Sequence, residues 1–256
     1  MRLLITNDDG AYAPGIKTLY RALAPEHEVW VVAPETEQSA VGHAITLADP
    51  IRVHPLTPES GMQGWAVAGT PADCVKLGVH ELLPQPPQMV LSGINLGANV
   101  GVNLLYSGTV SAATEGAILG LPALSISLAS HAPFDFSFAA SLAARLVAAF
   151  PGLGVPPGVS LNVNVPALPP EKIQGVRFCR QSTARLEERF LRRTDPRGHV
   201  YYWQAGEKMG GEGDDLTDYP ALRQGYVTIT PVGPDLTRHR LLEDLRQHSL
   251  DLLNQE

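Results

Sequence analysis

The sequence predicts an α/β protein built on a Rossmann-like, doubly wound and mostly parallel β-sheet. The first observation is a series of short, uniformly apolar runs, which are typical of strands buried on both faces of a sheet. The second is that segments with helical periodicity lie between these runs. The third is that polar stretches directly follow several of the runs. Because open α/β sheets bind ligands at the carboxyl ends of their strands, we expect the function to reside in those polar stretches.

The first predicted unit is a strand, a helix and a second strand. Leu3 to Ile5 is an apolar run too short for an amphipathic helix, so it is a predicted strand. The helix lies in "APGIKTLYRALAP", where Pro14 suits the first helical turn. "EVWVVAP" at 28–34 is the second strand, and it completes a right-handed βαβ unit.

Further strands and helices continue the alternation. Residues 88–93 and 123–128 are predicted strands, and a helix rich in small residues is predicted over 109–119 between them. Another helix is predicted over 137–150. "VSLNVNVP" at 159–166 alternates apolar and polar residues, so we expect a half-exposed strand there.

The pattern changes after residue 181, which divides the chain into a Rossmann-like domain over 1–181 and an extension over 182–256 that is not an independent domain. Two extended segments flank the turn sequence "TDPRG" and predict a β-hairpin arm. A strand in "YVTITPV" and a helix from about 236 to 253 follow. Because an isolated hairpin is barely stable, the arm is expected to pack on another subunit or on the main domain.

Composition and charge argue against several classes of protein. The chain has 19 basic and 26 acidic residues and a net charge of −7, which disfavours binding to a nucleic-acid polymer. It shows neither an apolar run of about eighteen residues nor a secretory leader, so no membrane association is predicted and the cytoplasm is the expected location. Two cysteines, Cys74 and Cys179, are too few for an ordinary zinc site or a disulfide scaffold.

Four polar loops follow the predicted strands and would meet at one edge of the sheet. Three of them contain the oxygen ligands that a hard divalent cation such as Mg²⁺ or Mn²⁺ prefers. These candidate metal ligands are Asp8, Asp9, Ser39 and Asn95. Each has an alternative role: the aspartates could cap a helix, the serine could be a solvated loop residue, and the asparagine could serve a left-handed backbone. The position of both aspartates directly after a buried strand favours the metal site.

The fourth loop, "YSGTVSAATEG", precedes the predicted helix at 109–119. Ser107 and Thr109 offer hydroxyl groups, Gly108 permits close approach, and free N–H groups at the helix start would bind an anion such as phosphate. The same three residues could equally form an ordinary helix N-cap. A cation site beside an anion site is the arrangement needed for phosphate-ester hydrolysis.

Other motifs are absent or undecided. The sequence lacks the glycine-rich dinucleotide and Walker patterns and the H-E-x-x-H zinc pattern. His43 is interpreted as a loop or packing residue near Ser39. Glu115 could support the site from behind or could simply be a favourable charge near the helix start, and the sequence does not distinguish the two.

Six motifs, in order along nearly the whole chain, closely resemble the SurE family of stationary-phase survival proteins, which are metal-dependent 5'-nucleotidases. The motifs are "ITNDDG", "GTPADCV", "SGINLGANVG", "YSGTVSAATEG", "LNVNVP" and "TDYPALRQGYVTITP". The resemblance implies one divalent cation per subunit on the ligands named above. It implies catalytic roles for Asp8, Asp9 and Asn95, and phosphate contacts by Ser107, Gly108 and Thr109.

The resemblance also implies substrates and assembly. The expected substrates are nucleoside 5'-monophosphates, with 3'-monophosphates and short polyphosphate as further ones. The expected assembly is a homodimer or homotetramer in which the hairpin arm and C-terminal helix are exchanged between subunits.

Three alternatives remain open on the residues alone. An aspartyl-phosphate intermediate on Asp9 is a rival mechanism, although the D-x-D pattern of that phosphatase class is absent. A response-regulator-like receiver also places two acids after its first strand, but the strand "MVLSGIN" lacks the phospho-accepting aspartate that such a module needs. A relative that has lost catalysis would bind the metal without turnover.

Overall fold

The computed structural model describes residues 1–130, 135–187, 189–205, 209–210 and 214–247. Within them, one large sheet and two small two-stranded sheets are present. The strands are β1 (Arg2–Thr6), β2 (Glu28–Pro34), β3 (Val53–Pro55), β4 (Gly64–Val67), β5 (Met89–Leu96), β6 (Ala123–Ala129), β7 (Ser160–Pro166), β8 (Val176–Phe178), β9 (Arg185–Leu186), β10 (Arg189–Thr194), β11 (Val200–Ala205), β12 (Met209–Gly210) and β13 (Val227–Val232). The α-helices are α1 (Pro14–Leu23), α2 (Pro71–Leu77), α3 (Gly108–Ile118), α4 (Ser137–Ala149), α5 (Asp218–Arg223) and α6 (His239–Arg246).

The large sheet has the strand order β3-β4-β2-β1-β5-β6-β7-β13-β8. Strands β4, β2, β1, β5, β6 and β7 are parallel to one another, and β8 is parallel to β13. The antiparallel pairs are β3 with β4 and β13 with β7. The predicted α/β class with a doubly wound, mostly parallel sheet is therefore confirmed.

Helices cover both faces of the sheet, and the alternation of side chains along β1 shows why. Leu3 and Ile5 lie in an apolar cluster with residues of α1 and α4. Leu4 points to the opposite face and lies in a second cluster with residues of α2 and α3. All three side chains are fully buried, which accounts for the uniformly apolar sequence of this strand.

The predicted hairpin is confirmed as strands β10 and β11, which pair antiparallel from Arg189 with Ala205 to Thr194 with Val200. The carboxylate of Asp195 closes the turn by accepting hydrogen bonds from the backbone N–H groups of Arg197 at 2.8 Å and His199 at 2.9 Å. Helix α6 begins at His239, slightly later than expected, and residues 248–253 of the predicted helix lie outside the described residues.

The expectation for β7 was wrong, because every residue of this strand is buried. Its polar side chains face a polar interior and not solvent. Asn162 Nδ2 donates to the carbonyl oxygen of Asn99 at 2.7 Å, and Asn164 Oδ1 accepts from the N–H of Asn99 at 2.8 Å. The apolar and polar residues of β7 alternate because the two faces of the strand, both buried, differ in polarity. The same alternation occurs in a strand with one exposed face, so the sequence pattern does not distinguish the two cases.

Strands β3 and β4 and helix α2 were not predicted, because their apolar runs are short. The boundary drawn at residue 181 falls between β8 and β9, yet β13 from the later part lies inside the large sheet, between β7 and β8. That residues 182–256 are not an independent domain stays a prediction. None of the helices in the described part of the chain is long and apolar enough to cross a membrane.

Candidate functional site

The turn after β1 places two carboxylates at the edge of the sheet. The side chain of Asn7 donates to the carbonyl oxygen of Gly10 at 2.9 Å and accepts from the N–H of Gly10 at 3.2 Å. Gly10 has a φ of 106°, a conformation that favours glycine. This local closure fixes the positions of Asp8 and Asp9 between the two bonded residues.

Asp8 is 6% exposed and is held by the start of α3. Its Oδ2 accepts a hydrogen bond from the backbone N–H of Thr109 at 3.0 Å, and its Oδ1 accepts one from the Thr109 hydroxyl. A Cβ atom on Gly108 would lie 2.8 Å from the Cβ of Asp8, so only glycine allows this approach. The positive end of the helix dipole therefore faces the Asp8 carboxylate.

The helix start does not have the free donors that the sequence suggested. Ser107 is the N-cap, and its Oγ accepts from the N–H of Val110 at 3.1 Å while its carbonyl oxygen accepts from the N–H of Ser111 at 3.1 Å. The N–H of Thr109 is given to Asp8. The anion at this helix N-terminus is thus the protein's own carboxylate, and the phosphate contacts of Ser107 to Thr109 stay a prediction.

Burial raises the pKa of Asp9 to about 7, and the neighbouring charges of Asp8 and Glu37 add to the effect, while a hydrogen bond from the N–H of Leu96 opposes it. Burial also raises the pKa of Asp8, against the lowering effect of its bonds from Thr109. Two adjacent, partly desolvated carboxylates are costly to ionise together. A divalent cation would offset that cost, so these residues fit one.

The strand register directs Asn95 towards the same edge of the sheet as this pair. Thr6 of β1 pairs with Ser92 of β5, so Asp9 and Asn95 each lie three residues beyond the same paired position. The hydrogen bond from the Leu96 N–H to Asp9 fits this proximity. The amide nitrogen of Asn95 donates to the carbonyl oxygen of Gly97 at 2.8 Å, which leaves the amide oxygen as the atom that could bind a cation.

Ser39 is exposed, and its Oγ donates to Glu37 Oε1 at 2.5 Å. The residue before it, Gln38, connects this loop to the site: its backbone N–H donates to the carbonyl oxygen of Asp8 at 2.7 Å. Among the described residues, no group of three or more His, Cys, Asp or Glu side chains could hold a metal ion. A cation here would therefore need hydroxyl and amide oxygens beside the two carboxylates.

Sequence reasoning missed the residues that hold the loop between Asn95 and Ser107. The asparagines of β7 bond to Asn99, as described above. Asp218, fully buried in α5, accepts from the N–H of Gly101 at 2.9 Å through Oδ2 and from the N–H of Ser182 at 2.9 Å through Oδ1. The alternating asparagines in "LNVNVP" could have indicated buried hydrogen bonds from this strand. No local pattern indicates that Asp218 binds Gly101, 117 residues away in sequence.

The structure also shows what Glu115 contacts. This carboxylate is 3% exposed, and it binds His43 Nε2 at 2.8 Å and Lys76 Nζ at 2.6 Å. Burial raises its pKa, but hydrogen bonds and charge from His43 and Lys76 outweigh burial and lower the pKa below the usual value for glutamate. Glu115 is therefore an ionised buried group that joins a loop and two helices.

The family match and the most similar relatives that we compared carry the same family name. The family described as "Survival protein SurE" matches residues 3–188. The "5'-nucleotidase SurE" of Syntrophobacter fumaroxidans is 53% identical over 250 residues, which cover 98% of this chain and 100% of the relative. The protein of the same name from Desulfatibacillum aliphaticivorans is 51% identical, with coverage of 98% and 99%.

A solved structure agrees with the fold. The crystal structure of the SurE protein from Aquifex aeolicus superposes with a TM-score of 0.83 at 38% identity, covering 96% of this chain and 99% of that one. The family match spans most of the chain, and the relatives extend it to nearly the full length. The chain therefore belongs to the SurE family of survival proteins.

Proposed function

We propose that this protein is a metal-dependent phosphomonoesterase that hydrolyses nucleoside 5'-monophosphates to nucleoside and phosphate. The observation that carries the proposal is the pair Asp8 and Asp9 at the carboxyl end of β1, where Asp8 is fixed by Thr109 and the pKa of Asp9 is raised to about 7. Relatives at 53% and 51% identity are named 5'-nucleotidases, which supports the choice of substrate class.

The cation proposed for this site is one Mg²⁺ or Mn²⁺ per subunit. Its ligands would be Asp8, Asp9, Ser39 and Asn95. When bound, such an ion polarises a phosphoryl oxygen and activates the attacking water. These residues follow or end three neighbouring strands, β2, β1 and β5, and this order supports the proposed donor set.

The other residues would hold the substrate. Ser107 uses its hydroxyl oxygen as an acceptor for the N–H of Val110, so its O–H remains able to donate to a phosphate oxygen. Gly108 has no side chain to block access next to Asp8. Thr109 already gives both of its donors to Asp8, so its proposed contribution to phosphate binding runs through the position of that carboxylate. Hydrolysis breaks the phosphorus–oxygen bond to the ribose, and the nucleoside leaves as the alcohol.

Several further properties belong to the same proposal. Nucleoside 3'-monophosphates and short polyphosphate are proposed additional substrates, and the cytoplasm is the proposed location. The proposed assembly is a homodimer or homotetramer formed by exchange of the hairpin arm and C-terminal helix. Support for it comes from the hairpin, where Phe190 and Tyr202 on one face and Trp203 on the other are each about 60% exposed, more aromatic surface than a solvated arm needs.

The experiment that tests the activity is phosphate release from a panel of 5'- and 3'-nucleotides, sugar phosphates and polyphosphate. The protein is first treated with EDTA and then supplied with Mg²⁺ or Mn²⁺. We expect no release with EDTA and restored release that favours 5'-nucleotides. Metal binding without release from any substrate would contradict the proposal and favour a non-catalytic binding protein.

The same preparation separates the two mechanisms considered for this site. Hydrolysis of a substrate made chiral at phosphorus with oxygen isotopes and sulfur should invert the configuration, because water displaces the nucleoside in a single attack on phosphorus. Retention of configuration would instead show two successive displacements through an aspartyl-phosphate intermediate and would contradict direct attack.

A further inference from the structure

The loop after β2 carries Ser39 and is anchored on both sides of it; we call residues 35–46 the β2 loop. On one side, the N–H of Gln38 donates to the Asp8 carbonyl oxygen at 2.7 Å. On the other side, the N–H of Gly42 donates to the Tyr106 carbonyl oxygen at 3.0 Å, and the hydroxyl of Thr46 donates to Asp73 at 2.6 Å. The loop thus crosses the N-terminal ends of α2 and α3.

A buried carboxylate provides an additional anchor for this loop. Glu115 lies seven residues after Gly108, so both residues occupy the same face of α3, about two turns apart. Gly108 is the residue that approaches Asp8, and Glu115 binds His43 of the β2 loop at 2.8 Å. One helix face therefore contacts the turn after β1 at one end and the β2 loop at the other.

The two side-chain contacts of Glu115 differ in what they connect. Lys76 belongs to α2, and its pair with Glu115 at 2.6 Å joins two helices. Those helices also approach each other at their other ends, since a Cβ atom on Gly108 would lie 3.0 Å from Pro71 Cγ. His43 instead belongs to a loop, so its bond restrains a segment that has more conformational freedom to lose.

We propose that Glu115, acting through His43, is a positioning residue that holds the β2 loop so that Ser39 is presented to the cation beside Asp8 and Asp9. The inference rests on the proposed function, because it takes Ser39 as a metal ligand. Its physical basis is preorganisation. Residues 38–43 are held by hydrogen bonds at Gln38, Gly42 and His43, so the conformational entropy of the loop is lost when the protein folds and not when the metal binds. Loss of the His43 bond transfers part of that entropic cost to binding.

The test is the affinity for Mn²⁺ alone, measured by calorimetric titration of the whole protein without nucleotide. We expect His43→Ala to raise the dissociation constant about fivefold to tenfold, near the low end of the effect of residues that support metal ligands. Lys76→Met is the matched control, because it removes an ion pair from the same carboxylate. We expect it to stay within about twofold of the wild type while its thermal unfolding midpoint falls.

Two further variants separate positioning from a general loss of structure. His43→Gln places an amide where it can still donate to Glu115 and should recover most of the affinity. Glu115→Gln combined with His43→Ala should bind Mn²⁺ no more weakly than the His43→Ala variant, because both changes break the same link.

Three results would overturn the inference. In the first, His43→Ala binds Mn²⁺ as tightly as the wild type. In the second, Lys76→Met loses as much affinity as His43→Ala, which would show only a loosened structure. In the third, His43→Gln binds Mn²⁺ as weakly as His43→Ala, which would show that a donor to Glu115 is not what matters. A wild type that binds no Mn²⁺ would instead refute the proposed metal site, and with it any positioning of Ser39.

Discussion

Asp8 and Thr109 lie 101 residues apart in sequence and are joined by two hydrogen bonds, one from the backbone N–H at 3.0 Å and one from the hydroxyl. The carboxylate at the end of β1 thereby occupies the N-terminus of α3, where the helix dipole favours a negative charge. Thr109 is fully buried, so solvent does not compete for either bond. The orientation of Asp8 is therefore set by the helix and not by its own turn alone.

The first prediction concerns the hydroxyl of Thr109. Thr109→Val keeps the shape and the backbone bond but removes the hydroxyl bond to Asp8, so we expect phosphate release to fall about tenfold. Thr109→Ser keeps the hydroxyl and should retain most of the activity. Equal rates for the valine and serine variants, both folded by circular dichroism, would show that the hydroxyl bond does not matter for catalysis.

The second prediction concerns the two carboxylates themselves. Asp8→Asn or Asp9→Asn should lower metal-dependent phosphate release by about a hundredfold or more, because each change weakens both metal affinity and charge stabilisation. The far-ultraviolet circular dichroism spectrum should be unchanged. Near-normal turnover in both variants would remove the metal site from the proposed function.

The third prediction is a pH dependence that follows from the raised pKa of Asp9, about 7 against an ordinary value of 3.8. Below pH 3.8 the group is protonated in the folded and unfolded states alike. Between these two values the unfolded state ionises first, so the metal-free folded protein loses stability as the pH rises, and the loss is complete above about 7.

The measurement is the thermal unfolding midpoint of metal-free protein from pH 4 to pH 8. The difference between Asp9→Asn and the wild type should grow in favour of the variant as the pH rises, and added Mn²⁺ should stabilise the wild type at pH 8. Asp49→Asn, at an exposed position, is the control and should follow the wild-type curve. Parallel curves for Asp9→Asn and the wild type would contradict the prediction.

The fourth prediction concerns Asp218, whose buried carboxylate accepts three backbone N–H groups, those of Gly101, Ser182 and Tyr219. Asp218→Asn puts an N–H₂ group against at least one of these donors, so we expect a loss of about 1–3 kcal/mol in the free energy of unfolding by urea. Asp214→Asn, which breaks an exposed ion pair with Arg180, should cost less than about 1 kcal/mol. A smaller effect at Asp218 than at Asp214 would contradict this account.

The fifth prediction concerns the hairpin arm. Replacing Arg189–Ala205 with a short glycine-serine linker should lower the mass measured by light scattering, because exposed aromatic side chains on a two-stranded arm need a partner surface. An unchanged mass would show that the arm does not make the subunit interface.

Much of the fold could be read from local patterns. The apolar runs at β1, β2, β5 and β6 and the periodic segments at α1, α3 and α4 predicted these elements close to their observed bounds. Buried parallel strands have a strong local signature where both faces contact apolar helices, as at β1. The turn sequence "TDPRG" likewise predicted the hairpin, because its residues suit a tight turn in any context.

The sequence predicted where three candidate residues lie in the fold but not what they contact. Asp8, Asp9 and Asn95 could be placed at one edge because parallel strands end together, and the register of β1 with β5 agrees. The sequence could not show that the Asp8 carboxylate occupies the N-terminus of α3. Whether the N–H groups of Ser107 to Thr109 are free for an anion depends on which side chain of the protein packs against them.

Tertiary structure alone decided the polar contacts between distant segments. Whether Asn162 faces solvent or Asn99, and whether Glu115 is a surface charge or the buried partner of His43, depends on which chains pack together. Periodicity and propensity act over a few residues, so they determine helices, strands and turns. Hydrogen bonds between side chains far apart in sequence are specified only when the sheet and helices have assembled, and those bonds are what orient the candidate site.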